Sequence, residues 1–182
     1  MDYHPASAVD ADVRERAASI RLACFDVDGT LTDGRLHIDD EGRESKSFHV
    51  LDGQGMVLLR RSGVAVVLIT ARGGQAARKR AAELGVEVFT GAKDKLAQVR
   101  LLCEQHSIGL HQVCFMGDDL PDLGALAAVG LAVAPSSAHP WILSRTHWQT
   151  QAAGGDGAAR ELCDLILDAQ GHVDALLEEW TR

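Results

Sequence analysis

The stretch Ile20–Asp33, read as IRLACFDVDGTLTD, decides the fold. Ile20, Leu22, Ala23, Cys24, Phe25 and Val27 make a short, almost unbroken apolar run. That is the pattern of a strand buried on both faces of a parallel sheet. Asp26 and Asp28 stand at its carboxyl end, followed by Gly29, Thr30 and Asp33. In open α/β sheets the ligand crevice lies outside the carboxyl ends of the strands, so both acids fall where chemistry is usually placed. A carboxylate there can act as a nucleophile and form an acyl-phosphate. Asp28, two residues on, is near enough to protonate a leaving oxygen and later deprotonate a water. The same letters also suit a polar strand end with an Asp-Gly turn. The rest of the chain decides between the two.

Four more strands are legible, and three downstream stretches add polar groups to the same edge. Val64–Ile69 ends on Thr70, Ala71 and Arg72, with Gly73-Gly74 opening a helix over Gln75–Leu84, the outline of a phosphate cradle. Val86–Phe89 is followed by Lys95, which opens a helix over Leu96–His106. A lysine in the first turn opposes the helix dipole, and a fixed cation aimed at phosphate explains it. Val113–Met116 ends on Gly117-Asp118-Asp119-Leu120-Pro121-Asp122. A helix start accounts for one of these acids, Asp122, but not for the adjacent pair. Gly130–Ala134 is the fifth strand. Strands alternating with helices specify an α/β fold, a doubly wound, Rossmann-like parallel sheet with right-handed crossovers. Two carboxylates ~4 Å apart repel by roughly 4 kcal/mol at an effective dielectric near 20, so such a cluster calls for a dication. Hard oxygen ligands beside a phosphate select Mg²⁺.

The remaining segments are less specific. Leu36–Val50 alternates around Asp39-Asp40-Glu41-Gly42 and reads as a β-hairpin flap. Asp52-Gly53-Gln54-Gly55 then breaks the chain and opens a helix over Met56–Arg61. Residues 1–11 read as a loose arm and Asp12–Ser19 as an entry helix capped by Asp10 or Asp12. Ala158–Gln170 reads as a helix capped by Asp156 or Gly157, and residues 171–182 as a tail. Gly154-Gly155-Asp156-Gly157 resembles a dinucleotide loop only in its letters, since it neither follows a strong strand nor starts the fold. A length of 182 residues suits one domain, and the net charge of −8 argues against a nucleic-acid partner. No apolar run approaches membrane-spanning length and no signal peptide is legible. Four cysteines without a CxxC pair point to a disulfide-free, cytoplasmic protein.

The order of these parts resembles the haloacid dehalogenase superfamily of phosphotransferases. The likeness rests on DVDGT at Asp26–Thr30, on Thr70, on Lys95 and on GDDLPD at Gly117–Asp122. It implies an Asp26 nucleophile, Asp28 as general acid and base, and Thr70 and Lys95 holding the phosphoryl group. It also implies Mg²⁺ on Asp26, Asp118 and the Asp28 carbonyl, with Asp119 and Asp122 as supporting acids. Residues 33–65 and 72–91 leave no room for a cap domain. KSFHVLDGQGM, ITARGG and GGDGAARELCDLILDAQG are similar to the capless 3-deoxy-D-manno-octulosonate 8-phosphate phosphatases. That resemblance implies hydrolysis of this eight-carbon keto-acid sugar phosphate for lipopolysaccharide synthesis. It also implies a homotetramer in which a neighbour's hairpin and tail cover the site. The substrate would touch Asp28, His49, Val50, Leu51, Asp52, Gly53, Val57, Arg72, Arg80 and Lys95. For the sugar carboxylate the available cations are Arg72, Arg80 and Lys46, and the planar fork of Arg72, with Arg80 in support, fits best. The chain departs from the family pattern at His49 (usually Asn), Leu51 (usually Arg) and Asp156 (usually Arg). A nine-carbon keto-acid phosphate, a general small-molecule phosphatase and a silent phosphatase-fold scaffold are the alternatives. A response-regulator receiver is excluded by order, because its acid pair follows the first strand and here the pair follows the fourth.

Overall fold

The alternation inside the opening strand sorts its side chains between two apolar layers. Leu22 and Cys24 join Val67, Val99, Leu102 and Phe115 on one face of the sheet. Ala23 and Phe25 join Met56, Leu59, Leu162 and Ile166 on the other. Both faces are therefore covered by helices, which is why Leu22–Phe25 carry no polar residue before Asp26.

Residues 4–181 are described, from a computed structural model. In chain order its elements are α1 (Ala11–Ala18), β1 (Leu22–Phe25), β2 (His37–Ile38), β3 (Glu44–Ser45), α2 (Val50–Arg61), β4 (Ala65–Thr70), α3 (Gln75–Leu84) and β5 (Glu87–Thr90). There follow α4 (Lys95–His106), β6 (Val113–Met116), α5 (Leu123–Leu126), β7 (Leu131–Ala134), β8 (Trp148–Gln149), α6 (Ala158–Ala169) and α7 (Val173–Trp180). Six strands form a parallel sheet in the order β5-β4-β1-β6-β7-β8, and β2 and β3 pair antiparallel as the hairpin. From β1 the chain winds to β4 and β5 on one side, then crosses to β6, β7 and β8 on the other. The switch point of a doubly wound sheet thus flanks β1.

Several expected boundaries move. A sixth strand, β8, extends the sheet beyond the five read from the sequence. The hairpin strands are two residues each. α2 begins at Val50, well before Met56, and runs through Gly53 and Gly55. Those glycines are there for close packing and not for a break. A Cβ at Gly53 would fall on the Arg80 guanidinium, and one at Gly55 would press on Arg160 and Cys163 of α6. The loose arm is also corrected for the described residues. Pro5–Ser7 form a 3-10 turn, Ala6 is buried, and Asp168 accepts from the Ala6 N–H at 2.8 Å and pairs with His4 Nδ1 at 2.9 Å. Met1–Tyr3 lie outside the described residues. α1 starts at Ala11, and Asp10 occupies its N-cap without a side-chain bond. The tail forms α7, with Leu177 and Trp180 exposed.

Candidate active site

Three strand ends and one helix start converge at the switch point. Asp26 follows β1, Thr70 ends β4, Asp118 follows β6, and Lys95 opens α4. The Asp26 N–H donates to the Met116 carbonyl at 2.9 Å, which ties the first motif to the end of β6. Asp26 is 5% exposed and Lys95 4%. Lys95 Nζ donates to Asp26 Oδ1 at 2.6 Å and to Asp122 Oδ1 at 2.5 Å. The other oxygen of Asp122 accepts from the Asp118 and Asp119 N–H groups at 3.0 and 3.2 Å, folding GDDLPD into a tight turn. Thr30 Oγ1 donates to Asp118 Oδ1 at 3.2 Å across the two loops. Gly29 permits that approach. Its φ is 93°, and a Cβ there would land on the Asp118 carboxylate.

Carboxylate oxygens of Asp26, Asp118 and Asp122 lie within 4.8 Å of one another, the spacing of a cation site. Burial, and then the charge of Asp122, push Asp26 up to about 8 against the pull of Lys95. The same two causes raise Asp118 to about 6. Burial works against the Lys95 ammonium, but Asp26 and Asp122 together hold its pKa above the usual lysine value. A hard dication on Asp26 and Asp118 would relieve this strain, and the all-oxygen donor set fits Mg²⁺. Asp122 already spends both oxygens on Lys95 and the loop amides. Asp119 turns away: its Oδ1 accepts from the Leu120 N–H at 2.8 Å and the residue is exposed, so it does not join the acid cluster.

A second set surrounds Asp28. Thr70 Oγ1 donates to Asp28 Oδ2 at 3.5 Å, and Arg72 Nε lies 4.0 Å from the same oxygen. Lys46 Nζ pairs with Asp28 Oδ1 and, at 2.6 Å, with Glu44. Glu44 in turn holds Arg72 Nη2 at 2.6 Å. The hairpin therefore brings an ion network over the first motif of its own chain. Sequence reading named Lys46 only as a possible carboxylate partner and overlooked Glu44. The signal was the period of two, which sets Glu44 and Lys46 on one face of a strand that passes the site.

The residues named from the start of α2 form another group. Arg80 Nη2 donates to the His49 carbonyl at 3.3 Å, Arg80 Nη1 pairs with Glu83 at 2.9 Å, and its guanidinium lies 5.8 Å from the Phe48 ring centre. Asp52 is buried against α6, while Val50 and Leu51 are exposed to solvent. Among the described residues no hydrogen bond or ion pair links His49, Asp52 or Arg80 to Asp26, Asp28, Asp118 or Asp122. Gly53 and Val57 follow on the same helix.

A family model for haloacid dehalogenase-like hydrolases matches residues 81–162. The 3-deoxy-D-manno-octulosonate 8-phosphate phosphatase of Escherichia coli is 41% identical over 167 residues, covering 91% of this chain and 89% of that protein. The chain belongs to that phosphatase family. Solved structures agree across the whole family fold. A hypothetical protein from Xanthomonas campestris is 56% identical, covers 100% of both chains and superposes with a TM-score of 0.98. The family's enzyme from Moraxella catarrhalis, crystallised with magnesium, phosphate and KDO, is 36% identical over 93% of this chain and 98% of its own, with a TM-score of 0.90. Among the described residues no cap domain interrupts the sheet.

Proposed function

We propose that this enzyme hydrolyses 3-deoxy-D-manno-octulosonate 8-phosphate to the free keto-acid sugar and phosphate, through an aspartyl-phosphate at Asp26 with Mg²⁺ as cofactor. The observation that carries this reading is the buried Asp26–Lys95–Asp122 cluster, set beside Asp118 at the switch point of the sheet. Mg²⁺ would be held by Asp26, Asp118 and the Asp28 carbonyl, and when bound it neutralises phosphoryl charge. An Asp26 carboxylate oxygen attacks phosphorus as the ester P–O bond breaks. Asp28 gives its proton to the leaving sugar oxygen. In the second step Asp28, now a carboxylate, takes a proton from the water that attacks the acyl-phosphate, releasing phosphate and regenerating Asp26. The Lys95 ammonium and Thr70 hydroxyl hold the phosphoryl oxygens meanwhile. Arg72 extends beyond Asp28 and supplies the fork for the sugar carboxylate.

The resemblance to the family also supports a homotetramer in the cytoplasm. Exposed Leu36 and Ile38 on the hairpin and Val50 and Leu51 at the start of α2 suit burial against another copy. All four cysteines are buried and unpaired, as a reducing compartment allows.

The test is kcat/KM over a panel of sugar phosphates with Mg²⁺, using wild type and Arg72→Ala. The expected result is a preference for keto-acid phosphates that Arg72→Ala erases, with no turnover in chelator. Equal rates on phosphates that lack a carboxylate would reduce the enzyme to a general small-molecule phosphatase. Full activity in chelator would remove the metal.

A further inference from the structure

α6 starts without a side-chain cap of its own. Its N-cap is Gly157, with φ of 101° and nothing to offer the first free N–H groups. The acceptor arrives from elsewhere: Asp52 Oδ1 takes the Arg160 N–H at 2.8 Å, the bond a capping side chain normally makes to the third helical residue. Asp52 is 2% exposed, and its other oxygen is buried with no hydrogen-bond partner. A carboxylate held there carries a desolvation cost, and burial raises its pKa from the ordinary value.

What α6 carries on its first turn is the 150–157 loop. Glu161 accepts from the Gln151 and Ala152 N–H groups at 2.9 and 2.8 Å. The Gly155 N–H donates to the Thr30 carbonyl at 3.0 Å. A Cβ on Gly154 would fall on the Gly29 carbonyl oxygen, and one on Gly155 would fall on the Thr32–Asp33 backbone. The glycine-rich turn therefore rests directly on the loop that carries Asp26, Asp28 and Thr30.

We propose that Asp52 is a positioning residue. By capping α6 from α2, it seats the Gly154–Gly157 turn against Gly29–Asp33 and so fixes the loop of the nucleophile. The kinetic arm of this proposal rests on the phosphatase reading above; the exchange arm does not. Asp52→Ala should lower kcat on a small aryl phosphate by about tenfold to a hundredfold, the cost of a slight misplacement, with KM roughly unchanged. Asp52→Asn keeps one acceptor oxygen and should restore most of kcat. In amide hydrogen exchange, residues 29–33 and 157–160 should lose protection together in Asp52→Ala and regain it in Asp52→Asn. If the alanine variant does not fold, native-state exchange of wild type in low denaturant carries the test, and both segments should open as one unit. A raised KM for the sugar phosphate with kcat retained would make Asp52 a substrate contact and overturn the proposal. So would exchange at 29–33 that is independent of α6.

Discussion

Lys95 holds two buried carboxylates in place, one on each of the two loops that build the site. Removing it leaves Asp26 and Asp122 facing one another without a cation, and losing one partner of a buried ion pair costs about 3–5 kcal/mol. Lys95→Met should therefore lose stability of that order in chelator, and Mg²⁺ should return part of it. Urea unfolding with and without the metal measures this, and an unchanged midpoint in chelator would refute it. The sequence showed Lys95 to be out of place for a helix start, and a cation aimed at charge was legible from that. Its second partner, Asp122, was legible only as a supporting acid, because nothing in the spacing pairs that carboxylate with Lys95. Asp52 was less legible still. Its partner is a backbone N–H on α6, and no side-chain pattern marks a contact of that kind.

β8 shows why the last strand escaped sequence reading. It has two residues, lies at the edge of the sheet beside β7, and has Trp148 as its one apolar residue, with polar neighbours from Thr146 to Gln151. Its anchor is His147, whose N–H donates to the Ala132 carbonyl at 2.8 Å while Nδ1 accepts from the Ala132 N–H at 2.9 Å. Acceptance at Nδ1 needs an unprotonated ring. Burial, then the charge of Arg16, lower the His147 pKa from the ordinary 6.5. The unfolded chain thus takes up the proton more readily than the folded one. The contribution of this contact is complete above the ordinary histidine range and declines as pH falls below it. Wild type should lose more thermal stability between neutral and mildly acidic pH than His147→Gln, which carries no titrating ring. Parallel melting curves for the two would contradict this account of the edge. At the same scale, Gly53 and Gly55 misled the reading of α2, since a glycine that admits a neighbour looks, in one dimension, like one that ends a helix.

For the whole molecule, the apolar strand runs and the polar residues at their ends specified a parallel doubly wound sheet with one active edge. That much was legible because strand burial on two faces leaves little room for alternative patterns. Which contacts lie between sequence-distant surfaces, as α2 against α6 or the hairpin over Asp28, was not, because local periodicity does not encode them. The proposed tetramer belongs to this scale. Light scattering should give four times the subunit mass, and a mass of one subunit with full activity would refute the assembly. The central claim is covalent catalysis at Asp26, and the most direct measurement is acid-quench trapping. Enzyme mixed with Mg²⁺ and substrate, quenched during turnover and digested, should carry a hydroxylamine-labile phosphoryl group on the peptide containing Asp26, and Asp26→Asn should carry none and show no turnover. A wild-type enzyme that turns over without labelling that peptide, or an Asp26→Asn variant that retains substantial activity, would contradict it.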